Sequence, residues 1–299
     1  MDVKNFQRLN LHQPAPASVN GRSNKDVMAA LNHPGDAQYH PCPEAYAADN
    51  VVAGEVRSYK NWHHSEIYPG TSRSIWIYIP SVLTATEDAP GVIIFNDGHA
   101  YLGRNGAVRA TQVLDNLHAT QQIRPTVAVF ITPGTPSQAL PISIPSYDEK
   151  ATQRSIEYDA ITPQYGEFLL NEILPFVEQQ IGCKLSQQAS RRTLCGISSG
   201  GICAFNTAWH FPEQFARVIS HCGSYTNILG GHNYPYLVRA TPRKNIRVFL
   251  QSGENDCTTI YGDWPTANLA MDKALAYAGY DYQFHFGSGG HTLRHGGAL

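Results

Sequence analysis

The chain has 299 residues, with 22 Lys+Arg against 24 Asp+Glu, 42% apolar residues and 15% charged ones. That length suits one large domain or two small ones, and it buries enough surface to fold without a metal or disulfide staple. A formal charge of −2 excludes an electrostatic binder of nucleic acid or acidic membranes; the composition is too apolar for disorder, and no apolar run reaches the roughly 18 residues of a spanning helix.

In chain order, the opening stretch MDVKNFQRLNLHQ is polar and lacks the apolar core of a secretory signal. The expected location is therefore cytoplasmic, although a mature secreted chain with an added Met would read the same. Residues 1–51 carry Pro14, Pro16, Pro34, Pro41 and Pro43 with no sustained period, and are read as an irregular arm packed on a domain of residues 52–299. Within that domain, strands are expected at 74–79, 91–95, 126–131, 192–195, 216–220, 246–251 and 282–286, several of them near-continuous Val/Ile/Phe. Helices are expected at about 106–119, 165–181, 199–210 and 265–278. Pro175 should kink or split the second, and Asp263-Trp264-Pro265 should open the last. Strands alternating with helices imply an α/β fold, with a mostly parallel central sheet covered by helices on both faces. Six cysteines (Cys42, Cys183, Cys195, Cys203, Cys222, Cys257) have no CxxC spacing and read as mostly free, buried thiols.

The most informative segment is 192–210, RTLCGISSGGICAFNTAWH, which holds the G-x-S-x-G of Gly196–Gly200 between a β-type run and an amphipathic helix. That order is the setting of a nucleophile elbow, where a strained turn lifts a serine hydroxyl clear of the sheet. Ser198 is thus the candidate nucleophile. A serine needs a base, and the base needs an orienting acid; in α/β-hydrolases they follow in the order Ser, acid, His. The strand ending near 251 runs into Ser252-Gly253-Glu254-Asn255-Asp256, which offers Asp256 as the acid, with Glu254 as its rival. The next strand ends in Gly287-Ser288-Gly289-Gly290-His291, a glycine-rich loop that lets His291 swing over the serine as base. His295 could pair with His291 at a metal, but HTLRH lacks the glutamate of a HExxH helix, so no metal is expected. The oxyanion hole is expected from the N–H of Ser199 and an N–H of Gly98 or His99, in the turn after the strand at 91–95. Tyr101, Tyr225 and Trp264, near loop ends, are candidate contacts to an aromatic ester.

Gly196–Gly201 (GISSGG), Gly253–Asp256 (GEND), Gly289–His291 (GGH) and Asp97-Gly98 together resemble the esterase family of the enterochelin esterases and of the feruloyl and acetyl-xylan esterases of carbohydrate esterase family 1. Further matches are Ser74–Pro80, Pro133-Gly134, Arg154–Asp159, Glu172–Pro175 and Cys222–Tyr225, so the resemblance spans roughly 52–299. It implies an α/β-hydrolase fold, no cofactor, and hydrolysis of a small-molecule carboxylic ester through an acyl-serine on Ser198, His291 and Asp256. Arg154, Glu157 and Tyr158 match a motif near the pocket, either as substrate contacts or as a structural Arg–Glu pair. An acyltransferase or lactonase on the same triad, and a non-catalytic binding protein on the scaffold, are the alternatives. The chain ends eight residues after His291, where the fold normally adds a last helix. An apolar face left open there would favour a homodimer.

Overall fold

The computed structural model describes residues 29–83, 88–138 and 152–297, with a short ribbon that pairs Ser18–Val19 with Arg22–Ser23. The start of the arm, including Pro14 and Pro16, lies outside the described residues. The main sheet is built from β1 (Glu55–Trp62), β2 (Thr71–Ile79), β3 (Gly91–Asn96), β4 (Thr126–Ile131), β5 (Arg192–Ile197), β6 (Arg217–His221), β7 (Arg247–Gly253) and β8 (Asp281–Gly287). Their spatial order is β8-β7-β6-β5-β3-β4-β2-β1, with the two-residue strand Thr135–Pro136 paired to the start of β2. From β3 onward the strands are parallel; β2 runs antiparallel to β4, and β1 antiparallel to β2. This is the α/β-hydrolase sheet.

Apolar alternation sets the two faces. On β4, Val127, Val129 and Ile131 enter one core while Ala128 and Phe130 enter the other. Of strands β1 to β8, the one missing from the sequence reading is β1, EVRSYKNW. It lies at the sheet edge, most of its residues remain in contact with water, and it carries no apolar run to signal it.

The helices are α1 (His99–Leu102), α2 (Ala110–Ala119), α3 (Thr152–Tyr158), a long helix α4 through Gln164–Phe168, Leu169–Ile173 and Leu174–Ile181, then α5 (Ser199–His210), α6 (Tyr234–Ala240), α7 (Trp264–Tyr277) and α8 (Leu293–Gly297). The helix expected over 106–119 begins only at Ala110, because Arg109 takes a left-handed conformation with φ 55°. In α4 the effect of Pro175 is a π-helical turn over Leu169–Ile173. Proline has no N–H to donate and its ring crowds the carbonyl four residues back, so the helix widens for one turn. Asp263 opens α7 by accepting the Thr266 N–H at 2.9 Å.

One face is closed by α4, α5 and α7 through Phe168, Phe205 and Met271; the other by α1, α2 and α8 through Tyr101, Leu114 and Leu293. Beyond α2 this second face opens into a groove of about 900 Å³ along Ile93, Ile219 and Phe249. No helix among the described residues is long and apolar enough to cross a membrane.

Candidate active site

Because β5, β6, β7 and β8 are parallel neighbours, the loops after them emerge at one rim of the sheet, where sites in open α/β sheets form. At the end of β5, Ser198 adopts φ 59°, ψ −124°, a conformation that costs a non-glycine residue roughly 1–3 kcal/mol. The turn has no spare room. A Cβ on Gly196 would lie 2.3 Å from the Gly200 backbone, and one on Gly200 would press on Asp97 Oδ2 at 3.1 Å. The Ser198 N–H donates to His221 O at 2.9 Å, which ties the turn to the end of β6.

His291 arrives by folding its loop back over β7. The approach is so close that a Cβ on Gly253 would sit 2.2 Å from Gly289 O. Asp256 accepts from His291 Nδ1 at 2.5 Å and also holds Ser252 Oγ and the Cys257 N–H. Both side chains are buried. Burial alone would disfavour the imidazolium, but the Asp256 carboxylate outweighs it and holds the His291 pKa well above its ordinary value. Glu254 is exposed and takes no part.

The loop carrying His291 is clamped from outside. Asp36 accepts the Gly290 N–H at 3.0 Å, Ala30 O accepts the His291 N–H at 3.0 Å, and Tyr39 OH meets Ser288 Oγ at 3.1 Å. Beneath the loop, His295 packs against Tyr39 with ring centroids 4.5 Å apart and bonds Gln251 Nε2 through Nδ1 at 2.6 Å. Cβ atoms on Gly287 or Gly289 would overlap the His295 ring. His295 is therefore a brace for the loop.

Ser198 and His291 share this rim without a direct hydrogen bond. Ser198 Oγ instead meets Ser224 Oγ at 3.3 Å; Ser224 Oγ accepts from Trp264 Nε1 at 3.2 Å, and the Trp264 ring stands edge-on to His291 at 6.1 Å. Ser224 was not singled out from the sequence, although it lies within the Cys222–Tyr225 match.

In the turn after β3, Gly98 departs from expectation. Its N–H donates to Ile131 O at 2.9 Å, and its missing Cβ makes room for the Phe130 and Ile131 backbone rather than for a ligand. It has no N–H to offer an oxyanion. His99 and Ser199 each begin a helix, where the first N–H groups lack intrahelical partners.

The residues read as substrate contacts are mostly internal. Tyr101 is fully buried with its OH 3.3 Å from His221 Nδ1, and Tyr225 is fully buried with its OH on Ser220 Oγ. Arg154 and Glu157 do not pair with each other. Arg154 forks onto Asp97 at 2.7 and 3.0 Å, and its Nη2 lies 3.5 Å from Ile197 O, clamping the β3 turn to the elbow. Glu157 makes a fully buried pair with Arg73 at 2.7 Å and accepts from Gln153 and Gly134. Tyr158 is buried with its OH at the Asp97 N–H. Asp97 and Arg73 take the partnerships that the resemblance left open between an internal Arg–Glu pair and substrate contact. Of the aromatic candidates, Trp264 alone touches the rim. Asp159, next along, is buried; burial, only partly offset by Arg154 and by the Ser199 and Ser155 side chains, lifts its pKa to about 6.

Among the described residues, Cys222, Asp256 and His291 are the group whose ligand atoms, within 4.8 Å of one another, could hold a metal ion. The donor set fits an ion poorly. Burial, reinforced by Asp256, pushes the Cys222 thiol pKa well up, so the thiolate a metal needs is disfavoured, and Asp256 and His291 are already bonded to each other. His295 faces Gln251 and does not join His291 in a metal pair.

The chain spans 33% of the Iron(III) enterobactin esterase of Escherichia coli (strain K12), to which it is 30% identical over 157 residues, 52% of its own length. The enterobactin esterase of Shigella flexneri, solved in the presence of enterobactin, superposes with TM-score 0.62 at 21% identity, over 87% of this chain and 60% of that one. The CE1 ferulic acid esterase of the anaerobic fungus Anaeromyces mucronatus superposes with TM-score 0.60 at 13% identity, over 86% and 92%. At these identities the two structures establish the shared fold. The family model described as "Putative esterase" matches residues 65–295, most of the chain, and the protein belongs to that family.

Proposed function

We propose that the protein is a serine carboxylic-ester hydrolase in which Ser198 is the nucleophile, His291 the general base and Asp256 the orienting acid. The observation that carries this reading is the buried 2.5 Å Asp256–His291 bond on the rim where Ser198 occupies a strained strand-to-helix turn. Asp256 fixes the proton on Nδ1 and leaves Nε2 as the base. Ser198 Oγ gives up its proton to Nε2 and attacks the acyl carbonyl. The oxyanion forms against the N–H groups of His99 and Ser199, with Arg154 and Asp97 holding the two turns together. His291 returns the proton to the leaving alcohol, and water repeats the cycle on the acyl-serine.

A fluorophosphonate probe tests this directly. Wild type labels and turns over p-nitrophenyl acetate, and Ser198→Ala does neither; a wild type that fails to label returns the chain to the non-catalytic alternative. A screen of acyl and alcohol groups, including enterobactin and ferulic acid esters, sets the substrate, and product analysis with competing alcohols separates hydrolase from acyltransferase. We further propose a homodimer contact on the open sheet face along Ile93, Ile219 and Phe249. Sedimentation as a monomer at micromolar concentration rejects that contact.

A further inference from the structure

Ser224 has no part in the triad, yet its hydroxyl touches the atom on which the chemistry turns. Its Oγ lies 3.3 Å from Ser198 Oγ and 3.2 Å from Trp264 Nε1. The main chain holds it there. The Ser224 N–H donates to Ser198 O at 3.1 Å, and Ser198 N–H donates to His221 O at 2.9 Å, so the segment after β6 grips the elbow from both sides. Between these bonds the turn is tight: Cys222 has φ 45°, Asn268 Nδ2 holds Gly223 O at 3.0 Å, and a Cβ on Gly223 would meet the Tyr225 ring at 2.5 Å. Ser224 is buried, and its hydroxyl contacts are Ser198 Oγ and Trp264 Nε1.

The three groups can share their protons so that Ser224 is the donor to Ser198. An indole N–H only donates, so Trp264 occupies a lone pair of Ser224 Oγ. Ser224 has one proton, and the remaining partner of its oxygen is Ser198 Oγ. Donated there, that proton leaves Ser198's own proton free to face His291. We infer that Ser224 is a catalytic hydrogen-bond donor to the nucleophile, set by Trp264. It stabilises the alkoxide character that grows on Ser198 Oγ as the proton leaves.

This inference rests on the reading of Ser198 as nucleophile and His291 as base. In the step itself, the Ser198 proton passes to His291 Nε2, the Oγ–carbon bond forms, and the carbonyl π pair moves onto oxygen; Ser224 keeps its proton throughout. When the acyl group leaves, Oγ regains alkoxide character, so the donor serves both half-reactions. Hydrogen bonds to charged groups are stronger than neutral ones, so the effect belongs mainly to the transition state.

The test compares Ser224→Ala, Ser224→Thr and Trp264→Phe in the full chain. The readouts are the rate of fluorophosphonate labelling, kcat and KM on p-nitrophenyl acetate across pH, and the thermal midpoint. Ser224→Ala should lower labelling and kcat by about 10–100-fold with KM and the acid limb of the pH profile unchanged, and Ser224→Thr, which keeps the hydroxyl, should recover most of the loss. Trp264→Phe should cost several-fold alone and little more in the Ser224→Ala background, because both act through one hydrogen-bond chain. Wild-type or faster rates in Ser224→Ala, or a loss confined to KM, overturn the inference while the triad stands. Wild-type labelling in Ser198→Ala rejects the triad itself. Should Ser224→Ala not fold, Trp264→Phe decides: a several-fold fall supports the donor chain, and an unchanged rate overturns it.

Discussion

Ser198 and His291 reach the same rim of the sheet, but the chain holds them by different means. Ser198 is placed locally, by β5 running into α5 with Gly196 and Gly200 making room for the turn. His291 sits on a loop whose anchors come from the other end of the chain: Asp36, Ala30 and Tyr39 bind Gly290, His291 and Ser288. A rigid elbow costs little conformational entropy to order, because the flanking strand and helix already fix it. A glycine-rich loop costs more, and here long-range hydrogen bonds hold it. Ser198 is therefore the part of the proposed site least dependent on the rest of the fold, and His291 the part most exposed to distant substitutions.

The largest test of this contrast is on the reacting groups. Ser198→Ala and His291→Ala should each lower kcat on the order of a million-fold, with the double variant little worse, as stopped or spectrophotometric assays will read. Independent, additive losses would mean that the two halves do not act together. Next comes the elbow: Gly196→Ala forces a Cβ to 2.3 Å from the Gly200 backbone, so activity should drop at least about 100-fold and the melting temperature should fall. A variant with normal kcat would show that the turn has slack the packing denies.

A smaller effect is expected from the arm. Asp36→Ala leaves the buried Gly290 N–H unbonded, at roughly 1–3 kcal/mol, and should reduce kcat about tenfold without altering the elbow; Asp36→Asn keeps an acceptor oxygen and should stay near wild type. Equal activity in all three would free the base from the arm. The smallest effect is a displacement along the pH axis. Because Asp256 raises the His291 pKa, the imidazole keeps its proton to higher pH, and activity should be lost as pH falls through a value above the ordinary histidine value of about 6.5. Asp256→Asn removes the raising charge and leaves burial, so any residual activity should titrate at lower pH than wild type.

The α/β pattern, the parallel strands and the elbow were legible in the chain itself, since apolar periodicity and a G-x-S-x-G between strand and helix are local consequences of backbone geometry. Helix α5 runs over Ser199–His210, as read from its residues. Asp256 and His291 were legible as types in chain order after two strand ends. What only the tertiary structure decided is which polar groups meet. The family resemblance left Arg154 and Glu157 either to each other or to a ligand; folding sent one to Asp97 and the other to Arg73. It also buried Tyr101 and Tyr225, took the Gly98 N–H for Ile131, and set Ser224 against Ser198. The reason is physical: a strand or a turn is determined by neighbours a few residues away, whereas a buried hydrogen bond pairs whichever donor and acceptor the packed sheet brings within 3 Å or so.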